Sequence, residues 1–323
     1  MLVFLARRLF ASALLIVGLL TLVFFVVHAA PGDPLQSYVV AETDAATIAT
    51  LRRQLGLDQP VPVQYVRWLR SFLFEFDFGT SITRRQDVRS VVLEALPHTL
   101  RLALAALVVR LALGITLGVL AALHHGRRTD VGLGLGALLF YSIPSFWLGL
   151  LLLLLFSWQL GWLPSGAVHS LDADRLAWHA RWWDGLQHLA LPVIVLGLGG
   201  AASTFRYMRA GMLDVLSQDF VRAAHARGLR RRTVVLRHAL RNALLPVVTQ
   251  VGWSIPALLG GAVVVESLFS WPGLGRLTVE AIGQRDVPVI MATTFVAGVT
   301  AVLGSLFADV LACWLDPRVR LEA

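Results

Sequence analysis

Lysine is missing from this 323-residue chain: all 28 of its basic residues are arginine. A phosphate-binding loop ending in Gly-Lys-Ser/Thr is therefore excluded, and the protein has no Walker motif of its own with which to hold ATP. Pyridoxal and other Schiff-base chemistry needs a lysine amine and is excluded on the same ground. Cysteine occurs once, at Cys313 inside an apolar run, which leaves neither a disulfide framework nor a thiolate cluster for a metal. Charge is scarce as well. Charged residues make up 15 % of the chain and apolar residues 57 %, with a mean hydropathy of +0.70, a balance that belongs to polytopic membrane proteins. The net charge of +8 does not argue for nucleic acid, because the arginines gather in loops between long apolar runs, where membrane topology explains them.

Six segments are long enough to cross a hydrocarbon core, which takes about 20 apolar residues: 9–29, 99–123, 132–157, 187–205, 243–267 and 288–312. The first follows Arg7 and Arg8, outruns the apolar region of a signal peptide and ends in Ala-Ala-Pro-Gly-Asp-Pro, so it is expected to remain as an anchor. Arginine fixes the orientation. Arg7 and Arg8, Arg127 and Arg128, the loop 206–242, and Arg318 with Arg320 fall on one side, while loops 158–186 and 268–287 are close to neutral. Both termini are thus expected in the cytoplasm. The chain reads as a first span (1–30), an outer loop (31–98), a transmembrane core (99–312) and a short tail (313–323). Within the outer loop, 44–57 and 62–75 have helical apolar spacing (Leu51 and Leu55; Tyr65, Val66, Leu69 and Leu73), which predicts two short amphipathic helices. Trp162, Trp178, Trp182 and Trp183 read as an interfacial belt.

The loop between the fourth and fifth spans is the richest feature. From Arg206 to Pro246 it carries nine arginines (Arg206, Arg209, Arg222, Arg227, Arg230, Arg231, Arg232, Arg237 and Arg241) against Asp214 and Asp219. Residues 217–228 predict a short helix with Ser217 as N-cap, Ala223 and Ala224 in its body and Gly228 ending it in the left-handed region. Thr233 is then placed to cap a second helix. Small alanines admit a partner's backbone and arginine forks meet its acids. Charge alone does not separate such docking from arginines that set topology and touch anionic lipid, and by itself favours the latter.

This segment resembles the EAA loop of ATP-binding-cassette importer permeases: Ala223, Ala224 and Gly228 stand at the motif's spacing, with Arg222 where the family has its first Glu and Leu240-Arg241 where it has Leu-Pro. The resemblance extends to the branch that imports dipeptides, oligopeptides and nickel. It is carried by His-Ala-Ala-Pro-Gly-Asp-Pro at 28–34, Leu-Gly-Leu-Asp-Gln-Pro-Val-Pro-Val-Gln-Tyr at 55–65 and Ser-Ile-Pro-Ser-Phe-Trp-Leu-Gly at 142–149. It continues through Arg-His-Ala-Leu-Arg-Asn-Ala-Leu-Leu-Pro at 237–246, Val-Val-Val-Glu-Ser-Leu-Phe-Ser-Trp-Pro-Gly-Leu-Gly at 263–275 and Leu-Asp-Pro-Arg-Val-Arg at 315–320. The resemblance implies an all-α polytopic membrane protein of the type I ABC-importer permease kind, with a helical periplasmic loop, in the bacterial inner membrane. It implies a second homologous permease, two cytoplasmic ATPases that bind the ATP, and an external solute-binding protein as partners. Arg222, Ala223, Ala224, Gly228 and His238 become the expected ATPase-coupling residues. Short peptides rank first as substrate and nickel second.

Ser142, Pro144 and Ser145 in the third span, and Gly252, Pro256, Gly260 and Gly261 in the fifth, are candidate breaks bordering a pathway or packing kinks. Arg110 sits near the middle of the second span, where it either lines the pathway and meets a substrate carboxylate or pairs with a buried acid. Glu266 is open to a gate role or to a hydrogen bond with the Trp271–Gly275 turn, and Asp309 to pairing with an inner arginine. The histidines, including His124, His125, His225 and His238, lack metal-ligand spacing, so no metal or other cofactor is assigned. Two other classes fit the sequence less well. A six-span secondary transporter needs coupling carboxylates that the spans scarcely supply. A rhomboid-type protease needs Gly-x-Ser-Gly, and the nearest match is Leu-Pro-Ser-Gly at 163–166 in an outer loop.

Overall fold

The computed structural model describes residues 2–29, 50, 52, 53 and 58–315, with backbone alone at 2–6, 252–261, 308, 309 and 311–315. Apart from one isolated bridge between Thr80 and Asp87, the described residues are helices and their connections. The described helices are α1 (Leu2–Ala29), α2 (Val61–Arg70), α3 (Val88–Leu123), α4 (Arg128–Ser142), α5 (Ser145–Leu152), α6 (Trp178–Leu216) and α7 (Asp219–Ala226). They continue with α8 (Arg231–Thr233, extended through a π-type Val234–Ala239 and Leu240–Ala243), α9 (Leu245–Leu268), α10 (Leu274–Gln284) and α11 (Val287–Leu315).

Among the described residues, four helices carry stretches long and apolar enough to cross a membrane, within α1, α3, α6 and α11; α4 and α5, extended by a π-type turn to Gln159, add a fifth when counted as one bent span. Helix α9 coincides with the remaining expected segment. Helices α3 and α6 start before, and α6 ends after, the apolar windows 99–123 and 187–205. At 39 residues α6 is roughly 58 Å long, well beyond the roughly 30 Å core. Hydropathy marks the part of a helix in lipid, whereas its backbone hydrogen bonds continue into water.

The third expected span is not one helix. It bends by 101° between α4 and α5. Ile143 is extended (φ −77°, ψ 124°) because the following Pro144 disfavours the helical region there, and Ser145 opens a new helix. The proline therefore starts an element instead of kinking one.

The chain divides into two units. In the first, residues up to 98 join 272–302. Leu20 and Phe24 of α1 pack on Phe72 and Met291, with Tyr65, Trp68 and Phe295 at the margin. The Trp68 and Phe24 rings stack at 5.3 Å, and Tyr65 Oη lies 2.6 Å from Thr21 Oγ1. The second amphipathic helix of the outer loop is present: Tyr65 and Leu73 pack on the cluster as expected, joined by Trp68 and buried Phe72, while Val66 is exposed. The predicted helix at 44–57 falls almost entirely outside the described residues, as do Asp33 and the tail 316–323. Val88, Val91, Val92 and Ala95 form a second core with Leu274, Leu277, Ala281 and Val289. Buried Asp286 accepts hydrogen bonds from the Ser81 and Thr83 hydroxyls and tethers that loop to the start of α11.

The second unit contains 99–271. One core lies among α3, α5, α6 and α9 around Leu102, Leu191, Val195, Val265 and Phe269. Another, at the arginine-rich end, joins Met208 and Met212 of α6 to Val221, Ala224, Val234, Val235, Ala239, Ala243 and Val247. The four expected belt tryptophans are all exposed.

Candidate functional site

The basic loop folds as a helical hairpin whose turn is set by one glycine. Helix α7 ends at Ala226, and Gly228 takes φ +76°, a left-handed conformation that other L-residues adopt only with strain. The amide of Gly228 donates to the His225 carbonyl at 2.9 Å and that of Leu229 to the Ala224 carbonyl at 3.4 Å. These two bonds make a Schellman ending, which satisfies carbonyls the helix would otherwise leave open. The expected caps differ. Gln218 occupies the N-cap position without a side-chain bond, while the Ser217 hydroxyl donates to the Asp214 carbonyl and closes α6. Thr233 is the third residue of a helix that begins after extended Arg230, so it lies inside that helix rather than capping it.

The two alanines face opposite ways. Ala224 and Val221 turn inward onto the core with Met208 and Met212, and Ala223 turns outward beside Arg222. Arg222 reaches Asp219 at 3.3 Å and the Ser217 carbonyl at 3.1 Å. His238 is half-buried, and its carbonyl accepts from the Asn242 amide. Arg227, Arg230, Arg231, Arg232, Arg237 and Arg241 are exposed and meet no acidic partner among the described residues. The outer surface of the hairpin thus offers six free guanidinium groups on a firmly packed base.

Arg206 and Arg209 do not share that surface. Arg206 lies over the Tyr141 ring at 4.3 Å, a cation–π contact. Arg209 clamps buried Asp130 in fork geometry, Nε to Oδ1 at 2.6 Å and Nη2 to Oδ2 at 2.8 Å. The Gly126 amide and His125 complete the carboxylate's surroundings at 3.0 and 3.1 Å. Asp130 thereby ties the first turn of α4 to α6. Sequence reasoning did not single it out; its position in the first turn after His-His-Gly-Arg-Arg-Thr was the available signal.

Among the expected pathway residues, Ser142, Pro144 and Ser145 lie together and exposed at the 101° bend, the Ser142 hydroxyl donating to the Leu138 carbonyl. Gly252 lies in α9 where the backbone alone is described, as do Pro256, Gly260 and Gly261; the side chain of Asp309 is likewise outside the described residues. Glu266 is fully buried. Its carboxylate accepts the Thr99 hydroxyl at 2.7 Å, and its backbone carbonyl accepts the Trp271 amide at 2.8 Å.

Arg110 is 5 % exposed and crosses α6 at Gly200, where an added Cβ would stand 2.6 Å from Arg110 Cδ. Its Nε donates to Thr204 Oγ1 at 3.0 Å; that hydroxyl lies 3.3 Å from Gln250 Oε1, and the Gln250 amide donates to Ser203. No carboxylate pairs with it among the described residues. Insertion into hydrocarbon costs an arginine about 2.5–3.5 kcal/mol, which a neutral hydroxyl offsets only in part. Thr204, Gln250 and Ser203 were not anticipated, although each interrupts an apolar run or lies close to its end.

Residues 114–321 match the family described as binding-protein-dependent transport system inner membrane component, and residues 1–103 match the N-terminal region of such membrane components. The chain belongs to this family. The oligopeptide transport system permease protein AppB of Bacillus subtilis (strain 168) is 40 % identical to this permease over 318 residues, 98 % of this chain and 99 % of that one. The glutathione transport system permease protein GsiC of Salmonella typhimurium is 40 % identical over 310 residues, covering 96 % and 95 %. A putative peptide transport system permease of Brucella abortus is 41 % identical over 312 residues, again 96 % and 95 %. Among solved structures, the methionine ABC transporter MetNI in inward-facing conformations superposes with a TM-score of 0.57 over 71 % of this chain and 97 % of that one. At 15 % identity that likeness concerns the fold alone. The protein is an ABC-importer permease of the type I fold, a multi-pass transport subunit rather than an enzyme. Permeases of this family work with ATPase and substrate-binding subunits.

Proposed function

We propose that this permease forms half of a translocation pathway with a second, homologous permease and imports short peptides delivered by an external binding protein. One of two ATPases docks on the hairpin 206–242, which faces the cytoplasm together with both termini, and the other on the second permease. The ATP is held by those partners, and the permease itself carries no cofactor. The observation that carries this reading is the hairpin: six free arginines displayed on a base whose Val221 and Ala224 are locked into the same core as α6 and α9. A surface patch without that base would bind a partner but absorb its movement. Here, closure of the ATPases presses on α7, and the packed core passes the displacement to Met208, Met212 and Val247, rocking the spans between inward and outward access. Ala223 and Arg222 contact the ATPase, Ala224 and Gly228 keep the hairpin's shape, and His238 supports it. The peptide substrate is supported by the printed names of the relatives, oligopeptide, peptide and glutathione permeases among them.

The test is reconstitution with the neighbouring-gene subunits in liposomes, followed by uptake of a labelled dipeptide. Uptake that needs both ATP and the binding protein is expected. Uptake of nickel but not peptide would reassign the substrate, and solute movement by the chain alone without ATP would replace the importer reading with a secondary transporter.

A further inference from the structure

Arg110 is a cation within the apolar stretch of α3, and its surroundings describe what it waits for. The residue is buried, 5 % exposed, and its one hydrogen bond among the described residues goes from Nε to the neutral Thr204 hydroxyl. The two terminal nitrogens, with four N–H bonds in one plane, take no acceptor among the described residues. A planar fork of free donors matches the two oxygens of a carboxylate. The neighbours match the rest of a peptide. Ser203 and Gln250 are half-buried and supply a hydroxyl and an amide, groups that hydrogen-bond to peptide N–H and C=O. Gly200 makes room for the Arg110 stem, since a Cβ there would stand 2.6 Å from Arg110 Cδ.

We propose that Arg110, with Thr204, Ser203 and Gln250, forms a binding site for a carboxylate of the transported peptide within the membrane-spanning bundle. This rests on the peptide-importer reading above. The neutral surroundings suit a transit site: a second fixed cation would hold the carboxylate, whereas one cation flanked by hydroxyl and amide groups attracts it and lets it leave. A carboxylate provided instead by another protein segment, on this chain or on the second permease, would make Arg110 a purely structural residue.

The experiment compares uptake of a labelled dipeptide with uptake of its C-terminal amide by the full reconstituted importer, with wild-type permease, Arg110→Gln and Arg110→Lys. The same binding protein serves both peptides, so its own preference cancels in each variant-to-wild-type ratio. Wild-type uptake of either peptide checks the peptide reading by itself; wild-type protein that imports neither removes that reading and this proposal with it. With wild-type uptake established, Arg110→Gln is expected to lower uptake of the free acid about tenfold or more while changing the amide less than twofold, and Arg110→Lys to recover part of the loss. Equal losses for acid and amide, or loss of the assembled complex, would overturn the proposal in favour of a structural pairing, as would uptake unchanged for both.

Discussion

Two of the charges buried in the second unit of this permease, Asp130 and Arg110, have opposite surroundings. Asp130 is held by the Arg209 fork, the Gly126 amide and His125, and it staples the first turn of one helix to another. Arg110 has a neutral hydroxyl and a glycine beneath it. For Asp130 the account predicts coupling: Asp130→Asn and Arg209→Met each lower the thermal midpoint of the purified complex, because each strands the other's charge. The double variant should lose less than the sum of the two, and additive losses would show that the pair contributes little. The role of Asp130 was not legible beforehand, and for Arg110 the sequence left a pathway carboxylate and a buried acid both open. Arginine counts assign Arg209 to topology and cannot tell which arginine folds back onto its own chain. Arg110 was legible as an anomaly, since a lone arginine in an apolar run stands out, but its partner Thr204 and the Gln250 beyond it lie 94 and 140 positions further along and share no local pattern with it.

At the scale of elements, the hairpin was the feature best read from sequence, and for a physical reason. Gly228 sits where a helix needs a left-handed residue, which is a local requirement and leaves a local mark. The caps at Ser217 and Thr233 were misplaced because a hydroxyl has two helix ends within reach, and here Ser217 served the preceding one. Likewise the helix at 61–70 was found, and Tyr65 and Leu73 pack as expected, but Val66 is exposed and Phe72, the buried anchor of the aromatic cluster, was missed because it lies where the helix passes into a π-type turn and the 3.6-residue period no longer holds. If the hairpin is the ATPase dock, its free arginines carry the association electrostatically. Replacing Arg230, Arg231 and Arg232 together with Glu should weaken ATPase binding by an order of magnitude or more, and the wild-type affinity should fall as salt rises. An unchanged affinity, measured by surface-immobilised titration of the ATPase, would return these arginines to a role in topology alone.

For the whole molecule, apolar length picked out the four long apolar helices and the bent pair that makes a fifth candidate span among the described residues, because a bilayer imposes that length on any helix that crosses it, and arginine asymmetry supplies an expected orientation. The 101° break in the third segment was visible as a proline but not as a bend, since a proline within a helix and one that starts a new helix read alike. What no segment reveals by itself is that α6, α7, α8 and α9 share one core at the arginine-rich end, so that a push on α7 reaches two spans at once. That shared core is the basis of the coupling claim, and Gly228 gives the sharpest way to test it. The decisive measurement is the ATPase rate and peptide uptake of the reconstituted complex carrying Gly228→Asp, which forces a side chain into the left-handed turn where open space, not a clash, surrounds it. The account predicts a complex in which ATP hydrolysis no longer responds to the liganded binding protein and uptake is lost. Normal uptake with normally stimulated hydrolysis would contradict the hairpin's part in driving transport.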